Sequence, residues 1–428
     1  MNPAGSRGAR PVSRFLRVPA LSLSASALLA GCQQSNNWDG SLENLLLSQP
    51  ERFSTVMQDA DKYRLQIIYT QIDRDENNRP SFTSFTHRLD SGQYFYPAST
   101  VKLPAALLAL EKLNRLDIPG LGRDTTMLTK VATDTQTPAL TDPTSPTGLP
   151  TIAHYIRKVL LVSDNDAFNR IYEFLGQKEL NEALHHKGYN NTRIFHRLST
   201  ARNADENRMT NPVVFVDGDT VIYKQEAQVS DTSYEAAEPI LMGRAEIVDG
   251  KLLERPKDFS VNNEFALQDL HDVMQALIFP EDVATEHRFN LTSDDYEFIY
   301  RNMSGYPGES GIGAYSNPVE YPDGRVKSLM AGGSAAMIPD NIRIFSKSGE
   351  AYGFKTDCAY IVDYENGVEF LLAATLFTNA NETFNDDDYE YDEIALPFLR
   401  DLGLAIYEIE IERDRKFRPD LSRVQLDR

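Results

Sequence analysis

Three strand-like runs stand close together near the C-terminus. "RIFSKSG" (343–349), "TDCAYIVDY" (356–364) and "VEFLLAATLF" (368–377) are separated only by turn residues. Near the other end, "YRLQIIYTQI" (63–72) alternates and is β-rich, and "FTSFTHRL" (82–89) follows it across the turn cluster "DRDENNRPS". That pattern predicts a two-stranded hairpin. Strands at both ends with mainly helical sequence between them predict one sheet assembled from the two termini, with a helical region inserted in the middle. The fold class expected is therefore α/β (α+β), an antiparallel sheet from both chain ends packed with helices. The chain has 428 residues, of which 41% are apolar. That is enough for one large domain with insertions and excludes a disordered chain.

The helical pattern begins in "YFYPASTVKLPAALLALEKL" (94–113), where the spacing predicts a helix opening at Ser99. Residues 151–187 are helical with a polar break at "SDND", and "LTSDDYEFIYRNMSG" (291–305) is a further helix. "YDEIALPFLRDLGLAIYEI" closes the fold as a last helix. Two segments, 213–225 and 244–254, each hold an Asp-Gly turn between apolar runs and read as hairpins, so residues 212–262 are taken as a β-rich insertion. The acidic run 385–393 fits no standard calcium loop and reads as a solvated segment before a helix.

The first residues are a targeting signal. Arg7, Arg10, Arg14 and Arg17 form a positive region, followed by a short apolar run and "LAGC". Leu29-Ala30-Gly31-Cys32 resembles a bacterial lipobox, which implies removal of residues 1–31 and lipidation of Cys32. Gln33, rather than Asp, follows the cysteine. By the same resemblance the protein is expected in the outer membrane of a Gram-negative bacterium, facing the periplasm. Residues 32–50 are expected to be a tether and short helix, and 51–428 the folded domain. Cleavage leaves 39 basic and 63 acidic residues, a net charge of −24. Such a chain does not bind nucleic acid or anionic lipid through bulk charge, so membrane contact is expected only through the lipid. Cys358 is the one other cysteine, so no internal disulfide can form once Cys32 is lipidated. Cys358 reads as a packed thiol, and a monomer is expected.

Ser99 and Lys102 lie three apart, on one face of a helix. A lysine buried beside a serine loses part of its affinity for a proton and can take one from the hydroxyl. The bland alternative is a capping serine with a lysine whose stem covers apolar surface while its charge reaches water. Ser163-Asp164-Asn165 follows 64 residues after Ser99, and Lys347-Ser348-Gly349 ends a strand. Alone, the second motif also reads as a helix-capping turn.

Together, S-x-x-K, S-D-N and K-S-G in this order resemble the motif set of class A β-lactamases and penicillin-binding proteins. The likeness covers about residues 85–200 and 285–402 and omits the insertion. It implies a β-lactamase/transpeptidase-like serine hydrolase acting on a β-lactam or D-Ala-D-Ala-like substrate, with no cofactor and no metal. By resemblance Ser99 is the nucleophile and Lys102 its proton acceptor. Ser163 relays the proton, and Asn165 binds the substrate amide and Lys102. Lys347, Ser348 and Gly349 form the substrate-binding strand, with the first two on the substrate carboxylate. The backbone N–H groups of Ser99 and Glu350 form an oxyanion hole.

One departure stands out. Class A enzymes hydrolyse their acyl-enzyme with a glutamate on the loop that corresponds to 191–212. The positions concerned, around Leu198 and Ser199, hold no acid. Asp205 and Glu206 come later, and Arg197 is expected to pair with Asp205 and hold the loop. His196 is read as a polar loop residue, with a replacement base as the alternative. His185 and His186 point to different faces of a helix end and do not make a metal pair. The readings left open are a β-lactamase-like hydrolase, a penicillin-binding DD-peptidase-like or other amidase with slow deacylation, and a non-hydrolytic envelope binding protein.

Overall fold

The computed structural model describes residues 38–333 and 338–426. The signal region and Cys32 lie outside them. The centre is a five-stranded antiparallel sheet of β1 (Gln66–Arg74), β2 (Pro80–His87), β3 (Ile342–Ala351), β4 (Phe354–Asp363) and β5 (Val368–Phe377), in the order β3-β4-β5-β1-β2. The two chain ends meet at the β1–β5 seam, where Gln66 faces Thr375 and Gln71 faces Phe370. This is the sheet that the strand runs at both ends predict.

Both faces of the sheet are covered. Along β4, Cys358, Tyr360 and Val362 enter one apolar cluster, while Ala359 and Ile361 enter the other. Burial on both sides explains why β4 and β5 read as nearly continuous apolar runs, a pattern that a one-sided sheet does not need. Each fully buried large side chain contributes roughly 1.5–3 kcal/mol.

One face carries α1 (Leu42–Ser48), α2 (Pro50–Met57) and, from the other end of the chain, the C-terminal helix Leu396–Glu412. The other carries α3 (Lys102–Leu116), α4 (Ile152–Leu161), α5 (Asn165–Leu175), α6 (Gln177–His186), α7 (Leu267–Ile278) and α8 (Ser293–Ser304). The compact unit begins at Trp38, before the boundary expected at residue 51. Leu42, Leu45 and Leu46 of α1 are buried, and Trp38 packs edge-on against Tyr69 and Phe85. These contacts make the segment part of the core. No helix among the described residues is long and apolar enough to cross a membrane.

The segment 212–262 is woven into the fold at separate places. Its first hairpin, Val213–Asp217 with Thr220–Gln225, extends the strand Thr126–Thr129 into a three-stranded sheet. Its second, Ala245–Val248 with Lys251–Leu253, pairs in parallel with Thr383–Phe384.

Candidate active site

Ser99 sits in a 3-10 turn, Ala98–Val101, and the α-helix proper starts at Lys102 rather than at Ser99. The cause is local. Ala98 is in the left-handed region (φ 46°), and both the N–H and the hydroxyl of Thr100 donate back to Pro97 O at 3.1 and 2.8 Å. In a 3-10 turn, residues three apart eclipse. Ser99 Oγ and Lys102 Nζ are accordingly 2.7 Å apart. Lys102 is 0% exposed, which rules out the snorkelling alternative.

The second motif fills the gap between α4 and α5. Thr151 caps α4 by accepting from His154 N, and Asp164 caps α5 by accepting from Ala167 N. Ser163 lies between them with φ 59°. Its carbonyl and hydroxyl are 2.5 and 3.1 Å from Lys102 Nζ, and Asn165 Oδ1 is 2.6 Å from the same nitrogen. Ala98, Ser163 and Ser199 (φ 52°) are three non-glycine residues in left-handed conformations around one site. Each costs about 1–3 kcal/mol, and such strain concentrates at functional sites.

The third motif is on the edge strand β3. Lys347 Nζ donates to Ser163 Oγ at 3.0 Å and to Ser348 O at 2.7 Å. Gly349 packs directly on the nucleophile turn: a Cβ there would stand 2.3 Å from Pro97 O and 3.0 Å from Ser99 N. Only glycine allows this approach, which brings β3 against Ser99. Glu350 comes next, with its side chain paired to Lys355 Nζ at 2.8 Å. Among the described residues one flank of β3 has no neighbouring strand, so alternate N–H and C=O groups face away from β4.

Two buried lysines therefore share the Ser163 hydroxyl. Burial, and next the charge of Lys347, hold the Lys102 ammonium well below the usual lysine range, with partial opposition from Asp164. Burial pushes Lys347 down to about 7 against the opposing charge of Asp357, with Lys355 and Lys327 adding to the fall. A neutral Lys102 has two N–H groups and one lone pair. Ser163 O and Asn165 Oδ1 can only accept, so they take both N–H groups. The lone pair is left for the two hydroxyls within reach, Ser99 Oγ at 2.7 Å and, farther off, Ser163 Oγ at 3.1 Å.

The 191–212 loop is anchored to α5. Asn169 holds Leu198 at both ends, donating to its carbonyl (2.9 Å) and accepting from its N–H (2.8 Å). Arg197 makes a two-pronged ion pair with Glu173 at 2.7 and 2.8 Å, and Asn211 N donates to Glu173 at 2.6 Å. This corrects the pairing expected with Asp205, which is 93% exposed and lies 3.8 Å from Arg208. The buried guanidinium needs a buried partner, and α5 supplies it. Glu206 is engaged in a capping box with Asn203. The His196 ring is buried, stacked on Tyr96, and donates from Nδ1 to Arg197 O at 2.5 Å. Burial pushes its pKa down.

Ser199 stands beside the motif residues, with its Oγ accepting from Asn165 Nδ2 at 2.7 Å. Leu198 points into the core and is 5% exposed. Asn169, Glu173 and Ser199 were not among the expected site residues. A signal existed for two of them: Asn165, Asn169 and Glu173 recur every four residues, a polar stripe on one face of α5. Cys358 is buried, and its thiol is pushed well up by burial. Among the described residues no group of three or more His, Cys, Asp or Glu side chains is placed to hold a metal ion.

A family model described as "Beta-lactamase enzyme family" matches residues 51–277. No curated protein matches the chain. Similar solved structures include a beta lactamase from Xanthomonas campestris, 14% identical, covering 86% of this chain and 98% of that one with a TM-score of 0.49. A structure of PBP-A is 16% identical over 86% of this chain and 96% of its own, with a TM-score of 0.48. A class A beta-lactamase from Clostridium kluyveri is 16% identical over 85% and 98%, with a TM-score of 0.46.

Proposed function

Because the chain belongs to the β-lactamase enzyme family, we propose that it is an active-site-serine hydrolase, acylated at Ser99 by β-lactams or acyl-D-Ala-D-Ala-like peptides and slow to release the acyl group. The observation that carries this reading is the hydrogen-bond count at Lys102, whose lone pair is left for the Ser99 hydroxyl. In the first step Ser99 Oγ bonds to the carbonyl carbon and its proton passes to Lys102. The tetrahedral oxyanion rests on the N–H groups of Ser99 and Glu350. The C–N bond then breaks, and the proton reaches the leaving nitrogen through Ser163, which is in hydrogen-bond reach of both lysines. Lys347 and Ser348 hold the substrate carboxylate, and the substrate amide meets Asn165 and the free flank of β3.

Slow release follows from the loop. Where a water-activating carboxylate would stand beside Asn165, this chain has the Ser199 hydroxyl. A scaffold with no chemistry is disfavoured by the assembly of all three motifs around one lysine. Incubation with fluorescent penicillin, followed by time-resolved intact mass, tests the reading. An adduct on Ser99 that persists is the expected result. No adduct with any β-lactam would sink it.

The pH profile has a stated sign. Lys347 is charged below about 7 and loses its proton above. Acylation by a carboxylate-bearing β-lactam should therefore fall as pH rises through about 7. Lys102 must be neutral to accept the proton, so acylation should also fall towards acid as Lys102 takes up a proton, whichever reagent is used. A neutral serine probe, having no carboxylate to anchor, should lack the alkaline limb. Equal limbs for both reagents would show that Lys347 does not bind the carboxylate.

We further propose that the protein is lipid-anchored at Cys32 in the outer membrane, facing the periplasm. Wild-type protein should fractionate with membranes and enter the detergent phase, and Cys32→Ser should abolish both. Soluble, unmodified wild-type protein would reject the anchor.

A further inference from the structure

The chain that returns from the second hairpin of the insertion touches three segments that border the site: the run leading into Ser99, the β3–β4 turn and the loop that carries Ser199. Asn263 is 0% exposed. Its Oδ1 accepts from Phe195 N at 2.7 Å and His196 N at 3.0 Å, and its Nδ2 donates to His196 O at 3.4 Å. Its backbone carbonyl accepts from the Tyr94 hydroxyl at 2.9 Å. Glu264–Phe265 pairs with Thr192–Arg193, and Arg193 Nε donates to Glu264 at 2.6 Å. Phe259 lies among the rings of Tyr94, Tyr352 and Phe384, with centroids 5.2–5.6 Å away. Tyr94 leads into the Ser99 turn, Tyr352 sits in the β3–β4 turn, and residues 195–199 carry Ser199.

We propose that the segment leaving this insertion, residues 259–265, is a positioning element for the proton acceptor, working through the series Asn263, loop 195–199, Ser199, Asn165 and Lys102. The physical argument runs inward from the loop. Ser199 is exposed and left-handed, and its Oγ accepts from Asn165 Nδ2. What holds it is the anchoring of the preceding residues, by Asn169 and Glu173 on one side and by Asn263 on the other. Ser199 Oγ takes the Asn165 amide N–H, which turns Oδ1 towards Lys102. Oδ1 in turn takes one Lys102 N–H and leaves the lone pair for Ser99. If the amide were free to flip, its NH2 would face Lys102 for part of the time and compete with the Ser99 hydroxyl for that lone pair. Asn263 and Ser199 are thus positioning residues that touch no reacting atom, and the proposal rests on Ser99 being the acylated nucleophile.

The test is a double-mutant cycle on the full chain. Second-order labelling of Ser99 is measured with a fluorescent penicillin and with a fluorophosphonate, which needs no β-lactam recognition. Asn263→Ala and Ser199→Ala should each slow labelling by about tenfold, the worth of one well-placed hydrogen bond. The double variant should be no slower than the slower single, because both losses act on the same amide. Asn263→Asp should recover only part of the rate, since the carboxylate accepts the same two N–H bonds but sets its second oxygen against His196 O, to which the amide donates. Thermal midpoints are recorded in parallel and should fall additively, separating folding from positioning. Losses that multiply in the double variant, or an unchanged rate in Ser199→Ala, would overturn the proposal. Ser199 is exposed, so its variant remains informative even if Asn263→Ala folds poorly. If the wild type labels at a residue other than Ser99, the nucleophile reading falls; if it labels at Ser99 and the losses multiply, only the positioning role falls.

Discussion

Lys102→Ala is expected to slow acylation of Ser99 by about 10³-fold or more, as loss of the base does in a serine–base pair. The serine hydroxyl is a weak nucleophile at neutral pH, and among the described residues the side chain hydrogen-bonded to it, at 2.7 Å, is Lys102. The ammonium is already disfavoured by burial and by Lys347, which favours the neutral amine. Removing the side chain also strands Ser163 O and Asn165 Oδ1, which both accept from Lys102. Some loss of stability should accompany the loss of rate, about 1–3 kcal/mol for each polar group left unpaired. Ser99→Ala is the control. The residue is small and half-buried, so folding should be intact while covalent labelling disappears. Labelling of Lys102→Ala within tenfold of wild type, corrected for the folded fraction, would show that the proton goes elsewhere.

Ser199→Glu is expected to speed deacylation by at least about 10²-fold while changing acylation much less, since general-base help is typically worth 10²–10⁴-fold. Position 199 is chosen by geometry: its side chain already reaches Asn165, and the loop is pinned by Asn169 and by the Arg197–Glu173 pair. Leu198 is the wrong choice, although it adjoins the same place in sequence. Its side chain is in the core, and a carboxylate there would cost several kcal/mol in desolvation, so Leu198→Glu should lower the melting temperature and gain no turnover. Pulse labelling followed by intact mass separates the two rates. The wild type should accumulate the Ser99 adduct and the glutamate variant should clear it. Rapid wild-type turnover with no observable adduct would overturn the argument, and Glu206→Gln and His196→Ala would then locate the residue responsible. The geometry disfavours both, because the Glu206 carboxylate caps Asn203 and the His196 ring is stacked on Tyr96.

Much of the architecture is readable along the chain because it is encoded by neighbours. Alternating and apolar runs mark β1 to β5, and turn residues separate them. Thr151 and Asp164 are capping residues at the starts of α4 and α5, which is why the break at "SDND" is visible without coordinates. The three motifs are short segments of the same kind, so Ser99, Lys102, Ser163, Asn165, Lys347, Ser348 and Gly349 can be picked out and ordered from the sequence.

Side chains that meet across long separations leave no such trace. Whether Lys102 snorkels or is buried depends on Ser163, Asn165 and Lys347 arriving around it from α5 and β3. Arg197 has an acid eight residues ahead in Asp205, yet its partner is Glu173, because burial requires the charge to be neutralised inside and α5 presents the carboxylate there. Leu198 and Ser199 are adjacent in sequence, but the backbone turn between them sends one into the core and the other towards Asn165. The insertion is marked in the sequence by its hairpins, but nothing there announces that Phe259 within it and Asn263 just beyond it meet the nucleophile segment and the loop. Each of these outcomes is set by desolvation and by packing between segments distant in the chain, and those forces act only once the sheet and its helices have brought the segments together.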